Sequence, residues 1–298
     1  MKIALVYRKD IDTQLWDAAI FRSRFPLVYA LSDYLDALCG GHWAALIYDN
    51  YEAVFPLPLK TKWGFTYVVQ PKFCQQLGAF GSNQTLTTQD FIAAIPKKFL
   101  RVQLQLNPYF DEGKTIALAS KTNYVLPLSE PPTYNKDCRK NLSALSKLPI
   151  EYTVNDLTFA DVVGVYRDAW GEANQQVASR DYENFISACT LLQSRYGAAY
   201  TLSAKNTESK QLLGAAILLG LPKEKNLSCN HLHYVCAGPT ESGKPLGIMH
   251  GIIDAAIQMH VGDRCFFDFE GSSIPSVAAF YQKFGPKNTP FYLLRRGI

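Results

Sequence analysis

Long apolar runs, paired cysteines and a large excess of one charge are all missing from this 298-residue sequence. No segment approaches the roughly 20 apolar residues that span a bilayer as a helix. The first apolar run stops at Tyr7, too short for a signal peptide, so a cytosolic location is expected. The seven cysteines (Cys39, Cys74, Cys138, Cys189, Cys229, Cys236 and Cys265) include no Cys-x-x-Cys pair. That excludes the usual zinc spacings and argues against a secreted disulfide framework, leaving reduced thiols. No metal site is expected. Thirty Lys and Arg against 26 Asp and Glu give a net charge of +4, which permits an anionic ligand without announcing a nucleic-acid binder. A Gly-x-Ser-x-Gly elbow is absent too, so nothing points to a serine nucleophile.

What is present is an ordinary globular composition, 48% hydrophobic and 19% charged, long enough for two domains. Helical patterns open the chain over Thr13–Phe21 and Pro26–Leu38, the second with Pro26 in its first turn and Gly40-Gly41 at its end. A hairpin follows, Trp43–Tyr48 and Glu52–Leu59 around Asp49-Asn50. Phe65–Gln70 is a third strand, a helix capped by Thr88 follows, and Arg101–Leu106 alternates as a strand. The second half repeats this order. Helices are expected over Phe159–Trp170 and Tyr182–Arg195, and strands over Ala198–Ala204, Leu212–Leu219 and His231–Val235. A Gly/Pro-containing loop then leads into a helix over Ile248–His260, a strand over Arg264–Phe269, a helix over Ser276–Lys283 and a last strand over Phe291–Arg295. The repeated order implies tandem α/β units, residues 1–132 and 150–298. A basic connector helix over Thr133–Lys147, bracketed by prolines, makes up the 133–149 connector.

The C-terminal stretch FFDFEGSSIPSVAAFYQKFG is the most specific signal. Tyr281 with Gly285 resembles the Tyr-x-x-x-Gly helix end of GNAT acyltransferases. Asp268-Phe269-Glu270-Gly271-Ser272 is similar to the Asp-Phe-Gly-Gly-Ser strand end of Fem-type aminoacyltransferases, which use two such domains. Phe280-Tyr281-Gln282-Lys283-Phe284-Gly285 resembles their Phe-Lys-x-x-Phe-Gly helix end, with Tyr281 where Fem-type proteins have Lys. The resemblance implies an α/β fold of two tandem Nat-like domains, each a mixed sheet with helices on both faces that splays at a central parallel pair. It also implies an N-acyltransferase that moves an acyl group from acyl-coenzyme A to a small-molecule or peptide amine by direct attack. In that family the tyrosine protonates the departing thiolate, which a phenol does because its pKa lies above that of a thiol.

Other positions take roles within that resemblance. Ser242, Gly243, Lys244, Leu246 and Gly247 lie where GNAT proteins cradle the coenzyme A pyrophosphate on backbone N–H groups. Val235 ends the strand along which pantetheine pairs. Pro245 removes one N–H donor from that loop, and Lys244 offers a point charge. Asp268 and Glu270 project to one side of their strand, with Phe267 and Phe269 on the other, and either carboxylate suits taking a proton from an ammonium. His231 and His233 alternate along their strand and are candidates for the acceptor pocket. Lys136, Arg139 and Lys140 form a basic face on the connector helix, suited to phosphates or to a tRNA end. The alternatives are a Fem-like aminoacyltransferase drawing on aminoacyl-tRNA, and a ligand-binding protein that keeps the fold without catalysis.

Overall fold

Apolar runs on either side of Asp49-Asn50 fold back on each other as expected. β2 (Trp43–Tyr48) pairs antiparallel with β3 (Ala53–Lys62), and Leu46 faces Phe55 across the ladder. This structure, a computed structural model, describes residues 3–83, 85–108, 110, 118–171, 177–221 and 230–297. Cys229 lies outside them. The chain forms two units. One is Met1–Thr122 with Leu221–Asn230 and Thr289–Ile298. The other is Asn123–Gly220 with His231–Asn288.

The first unit contains β1 (Ile3–Tyr7), α1 (Thr13–Arg22), α2 (Ser32–Cys39), β2 and β3. It continues with β4 (Phe65–Val69), β5 (Phe80–Gly81), α3 (Thr88–Ala94), β6 (Arg101–Leu106) and β7 (Ala119–Lys121). The second contains β8 (Tyr124–Pro127), α4 (Lys136–Leu145), β9 (Ile150–Val154), α5 (Phe159–Trp170), α6 (Ser179–Tyr196), β10 (Ala199–Asn206) and β11 (Leu212–Leu219). Then come β12 (Asn230–Pro239), α7 (Met249–Gln258), β13 (Cys265–Asp268), α8 (Pro275–Tyr281) and β14 (Lys287–Asn288). The last strand, β15 (Phe291–Gly297), returns to the first unit.

The sheet orders show the duplication. The first runs β1-β2-β3-β4-β6-β15-β7, with β5 on β3, and the second runs β9-β10-β11-β12-β13-β8-β14. Position by position these are the same topology, and β15 and β8 fill the same sixth place. The parallel step also repeats. β4 pairs parallel with β6 through Val68 and Val102. In the second sheet His231 stacks on Phe266 and His233 lies beside Asp268, so β12 and β13 advance in the same sense.

In the second unit Leu202, Leu213, Leu218, Leu232, Tyr234, Phe267 and Phe269 point into one core with α4, α7 and α8. Helices α5 and α6 pack on β11 and β10, and their buried Phe159, Val162 and Phe185 lie outside that core, as alternation along the strands requires.

Three local expectations shift. The helix expected over Pro26–Leu38 breaks into a 3-10 turn, Val28–Ala30, and α2, because Leu31 is extended and Asp17 accepts from Ser32 N at 2.8 Å and Ser32 Oγ at 2.7 Å. Thr87 rather than Thr88 caps α3, in a reciprocal capping box with Asp90. The connector helix is shorter than expected, since Asn135 caps α4 by accepting from Cys138 N. The units also divide at residue 122 rather than 132, because residues 123–127 join the second sheet.

Candidate active site

At the C-terminal end of β13 the backbone turns out of the sheet, the edge where open α/β sheets place ligands. Asp268 is fully buried. Its Oδ1 accepts from Glu270 N at 2.9 Å and its Oδ2 from Asn123 Nδ2 at 3.0 Å. Ser272 Oγ completes the turn, donating to Glu270 O and accepting from Tyr124 N. These bonds hold Glu270 at φ 51°. A residue with a Cβ incurs about 1 kcal/mol or more in that left-handed region, where glycine is at ease. Glu270 thus stands in a glycine conformation, at the position where Fem-type proteins have glycine.

Both carboxyls point at one imidazole. His233 Nδ1 lies 3.5 Å from Glu270 Oε1 and 3.7 Å from Asp268 Oδ2. The Glu270 side chain is almost wholly enclosed, and Oε1 accepts no hydrogen bond. Burial raises the Asp268 carboxyl to about 6 and pushes Glu270 well above the usual carboxylate range. It lowers His231 to about 3 and His233 well below the ordinary imidazole value, the neighbouring His231 adding to the effect on His233. The cluster is therefore two carboxyls against two neutral imidazoles, and among the described residues no Lys or Arg forms an ion pair with it. His231 stacks on His233 at 5.8 Å and extends the same wall inward.

Tyr281 approaches from α8. Its ring packs 5.0 Å from Phe269 and 6.3 Å from Tyr234. Burial raises the phenol above its ordinary value, and the charges of Glu270, Tyr166 and Asp268 add to this, so it keeps its proton. The second member of the Tyr-x-x-x-Gly spacing has its own reason. A Cβ on Gly285, at φ 76°, would sit 2.5 Å from Thr133 O.

The loop before α7 is tightly wound. Gly243 N and Lys244 N donate to Thr240 O, Leu246 N and Ile248 N to Gly243 O, and Gly247 N to Lys244 O. Ser242 Oγ accepts from Gln211 Nε2 at 2.7 Å. Five amides that would line a pyrophosphate cradle are thus turned onto the chain itself, and the exposed Lys244 is the loop's remaining anion partner. Val235 lies at a register shift: Tyr234 pairs with Leu218 and Cys236 with Ile217, leaving Val235 out of the ladder.

Lys136, Arg139 and Lys140 are exposed on α4. Arg139 donates to Tyr134 O, while Lys283 pairs with Asp137 at 2.6 Å, and none of the three basic residues forms an ion pair with the carboxyl cluster. The structure therefore brings His231, His233, Asp268 and Glu270 together, sets Tyr281 against Phe269 and Tyr234 within range of their charge, and leaves the basic face apart. Sequence reasoning missed Asn123, which precedes a four-residue strand inside a proline-bracketed stretch and meets Asp268 across 145 residues. Ser272 stood in the strand-end motif but carried no sign of its role.

No protein-family model and no curated protein matches the sequence. Solved structures do resemble it. A FemX structure covers 99% of this chain and 98% of its own at 12% identity, with a TM-score of 0.64. The C-terminal domain of a putative lysylphosphatidylglycerol synthetase from Agrobacterium fabrum covers 96% and 92% at 12% identity and 0.57. A protein of unknown function from Bacteroides thetaiotaomicron covers 98% and 99% at 10% identity and 0.58. The fold is the tandem Nat fold of Fem-type proteins. The expected fold class, two tandem Nat-like domains of mixed α/β sheet, stands, and no helix among the described residues is long and apolar enough to cross a membrane.

Proposed function

We propose that this protein is an N-acyltransferase that moves an acyl group from an activated ester to an amine by direct attack, with Glu270 as the base. The observation that carries this reading is the Glu270 carboxyl: buried, lacking a hydrogen bond at Oε1, and held in a conformation that suits glycine. Two buried carboxyls without a cation form a site for an ammonium group. The arriving cation lowers their pKa values again, so the base forms when the acceptor binds. Glu270 takes a proton from the ammonium, and the amine nitrogen attacks the ester carbonyl. As the C–N bond forms the bond to the leaving group breaks, and Tyr281 donates its phenolic proton to that group. The proton on Glu270 restores the phenol, and the amine's remaining proton leaves to solvent. Asp268 is a positioning residue that holds the Glu270 turn through its two hydrogen bonds.

Acyl-coenzyme A is the donor the GNAT resemblance implies, with Lys244 and the half-buried backbone at the Val235 register shift as its contacts. The inward-turned amides of Gly243–Ile248 favour a second reading, in which the donor is an aminoacyl ester such as aminoacyl-tRNA. FemX and the lysylphosphatidylglycerol synthetase domain, whose name denotes an aminoacylated product, are in keeping with it. The test is a mass-spectrometric screen of acyl-coenzyme A and aminoacyl-tRNA donors against amine acceptors, with wild type and Glu270→Gln side by side. A donor–acceptor pair turned over by wild type and lost in Glu270→Gln supports the reading. Equal turnover by both proteins refutes the role of Glu270.

A further inference from the structure

The first unit carries a feature that the active-site reading does not use. β3 and β4 form a hairpin in which Lys60 faces Tyr67 and Lys62 faces Phe65, closed by Trp63 and Gly64 at φ 52° and 78°. Both central residues are left-handed, the arrangement of a two-residue turn that selects Asn-Gly. Tryptophan there is strained, and it is 82% exposed, with Phe65 beside it at 53%. The Lys62 ammonium sits over the Trp63 ring at 4.3 Å.

Topology shows what surrounds this tip. β6 runs parallel to β4, with Val102 level with Val68, and β15 runs antiparallel to β6, with Gly297 level with Arg101. The hairpin tip, the start of β6 and the end of β15 therefore share one end of the sheet. Phe65 reaches two residues beyond the row of Arg101, about 7 Å at strand spacing, so the tip overhangs its neighbours. Leu100, 49% exposed, stands at the same end. Arg296 anchors the preceding segment there by donating to Ile95 O and Pro96 O. Exposed cations ring these apolar groups: Lys60 and Lys62 on the hairpin, Lys97 and Arg101 before and on β6, and Arg295 on β15, whereas Lys98 is turned away and donates to Tyr7 Oη. Residues 53–67, 95–106 and 291–297 contain no Asp or Glu.

We propose that this end of the first unit docks on an anionic phospholipid surface, with Trp63, Phe65 and Leu100 entering the headgroup region and the surrounding lysines and arginines facing lipid phosphates. Charge complementarity sets the sign of the surface. Two observations favour lipid over nucleic acid: an aliphatic Leu100 shares the patch, and an overhanging tip enters a yielding surface. Aromatic side chains suit the membrane interface, and each lysine near an anionic leaflet strengthens binding by about fivefold.

The test is co-sedimentation of the full chain with vesicles of phosphatidylcholine alone or with phosphatidylglycerol added. Trp63→Asn is the informative variant, because asparagine suits the left-handed turn and leaves the hairpin intact. The wild type is expected to partition onto the anionic vesicles and not the neutral ones, and to be released by salt. Trp63→Asn with Phe65→Thr is expected to lower that partition by about tenfold or more, with thermal stability held or raised. Lys60→Gln with Lys62→Gln should lower it by about 25-fold. Wild type that stays in solution with anionic vesicles overturns the proposal. So does partition that the Trp63 and Phe65 changes leave untouched, or an RNA oligonucleotide bound through Trp63 by a protein that ignores vesicles.

Discussion

Glu270 puts a buried carboxyl where the backbone favours glycine, and the Asp268 hydrogen bond holds it there. The burial that shapes this pair has a pH signature. The folded-state pKa of Asp268 lies above its unfolded value, about 6 against 3.8, so its contribution is complete below 3.8 and is lost as pH rises through 6. His231 has the opposite sign, since its folded value falls from 6.5 to about 3. Its contribution is present above 6.5 and is lost as pH falls. The two trends oppose each other in wild type, so a variant must separate them. Asp268→Asn should gain stability relative to wild type by about 2 kcal/mol between pH 4 and 7, read from denaturant midpoints. Parallel curves would mean that the carboxyl titrates normally. Tyr281 holds its proton throughout this range, so Tyr281→Phe should lower turnover on the order of 10²-fold while leaving donor binding nearly unchanged in calorimetry.

Elements were legible wherever periodicity was strong, and illegible where a partner from far along the chain decides. β2, β6, α5 and β11 match their sequence-read spans, and β4 and α1 differ by one residue at one end. The short strands β1, β5, β7, β8, β9 and β14 were missed, since two to five residues carry too little pattern and are held by the pairing that neighbouring strands give them. That loss reached the site, because β8 brings Asn123 to Asp268. The alternation of His231 and His233, and the opposed faces of Asp268 and Phe267, were legible because strand geometry fixes both. The left-handed turn at Glu270 was not, since the Asp268 and Ser272 side chains that hold it are themselves fixed by Asn123 and Tyr124, far back in the chain. The glycine-containing loop was located correctly, but its inward amides were invisible. Gly243 shows how tight it is: an added Cβ would lie 1.8 Å from Leu213 O. Gly243→Ala should therefore lower thermal stability by more than 2 kcal/mol, whereas Lys244→Ala should leave stability unchanged and weaken binding of an anionic donor.

At the scale of the whole molecule, duplication was read from element order, but the exchange of β15 was not. The chain's last strand pairs Tyr292–Gly297 with β6 and Phe291–Leu293 with β7. Residues 1–122 expressed alone should therefore fail to give the dispersed amide spectrum of a folded domain, and a peptide of residues 289–298 should restore it. A well-folded isolated segment would show that the strand is an accessory. The central claim is that a tandem Nat protein gives up stability at one buried carboxyl in order to handle an amine. Glu270→Gly tests it most directly, with melting temperature and acyl transfer measured on the same protein once a donor and acceptor are found. Glycine relieves the left-handed strain and removes a buried carboxyl, so the variant should melt higher than wild type and lose transfer by 10²-fold or more. A variant that melts lower, or that transfers at the wild-type rate, would contradict the account.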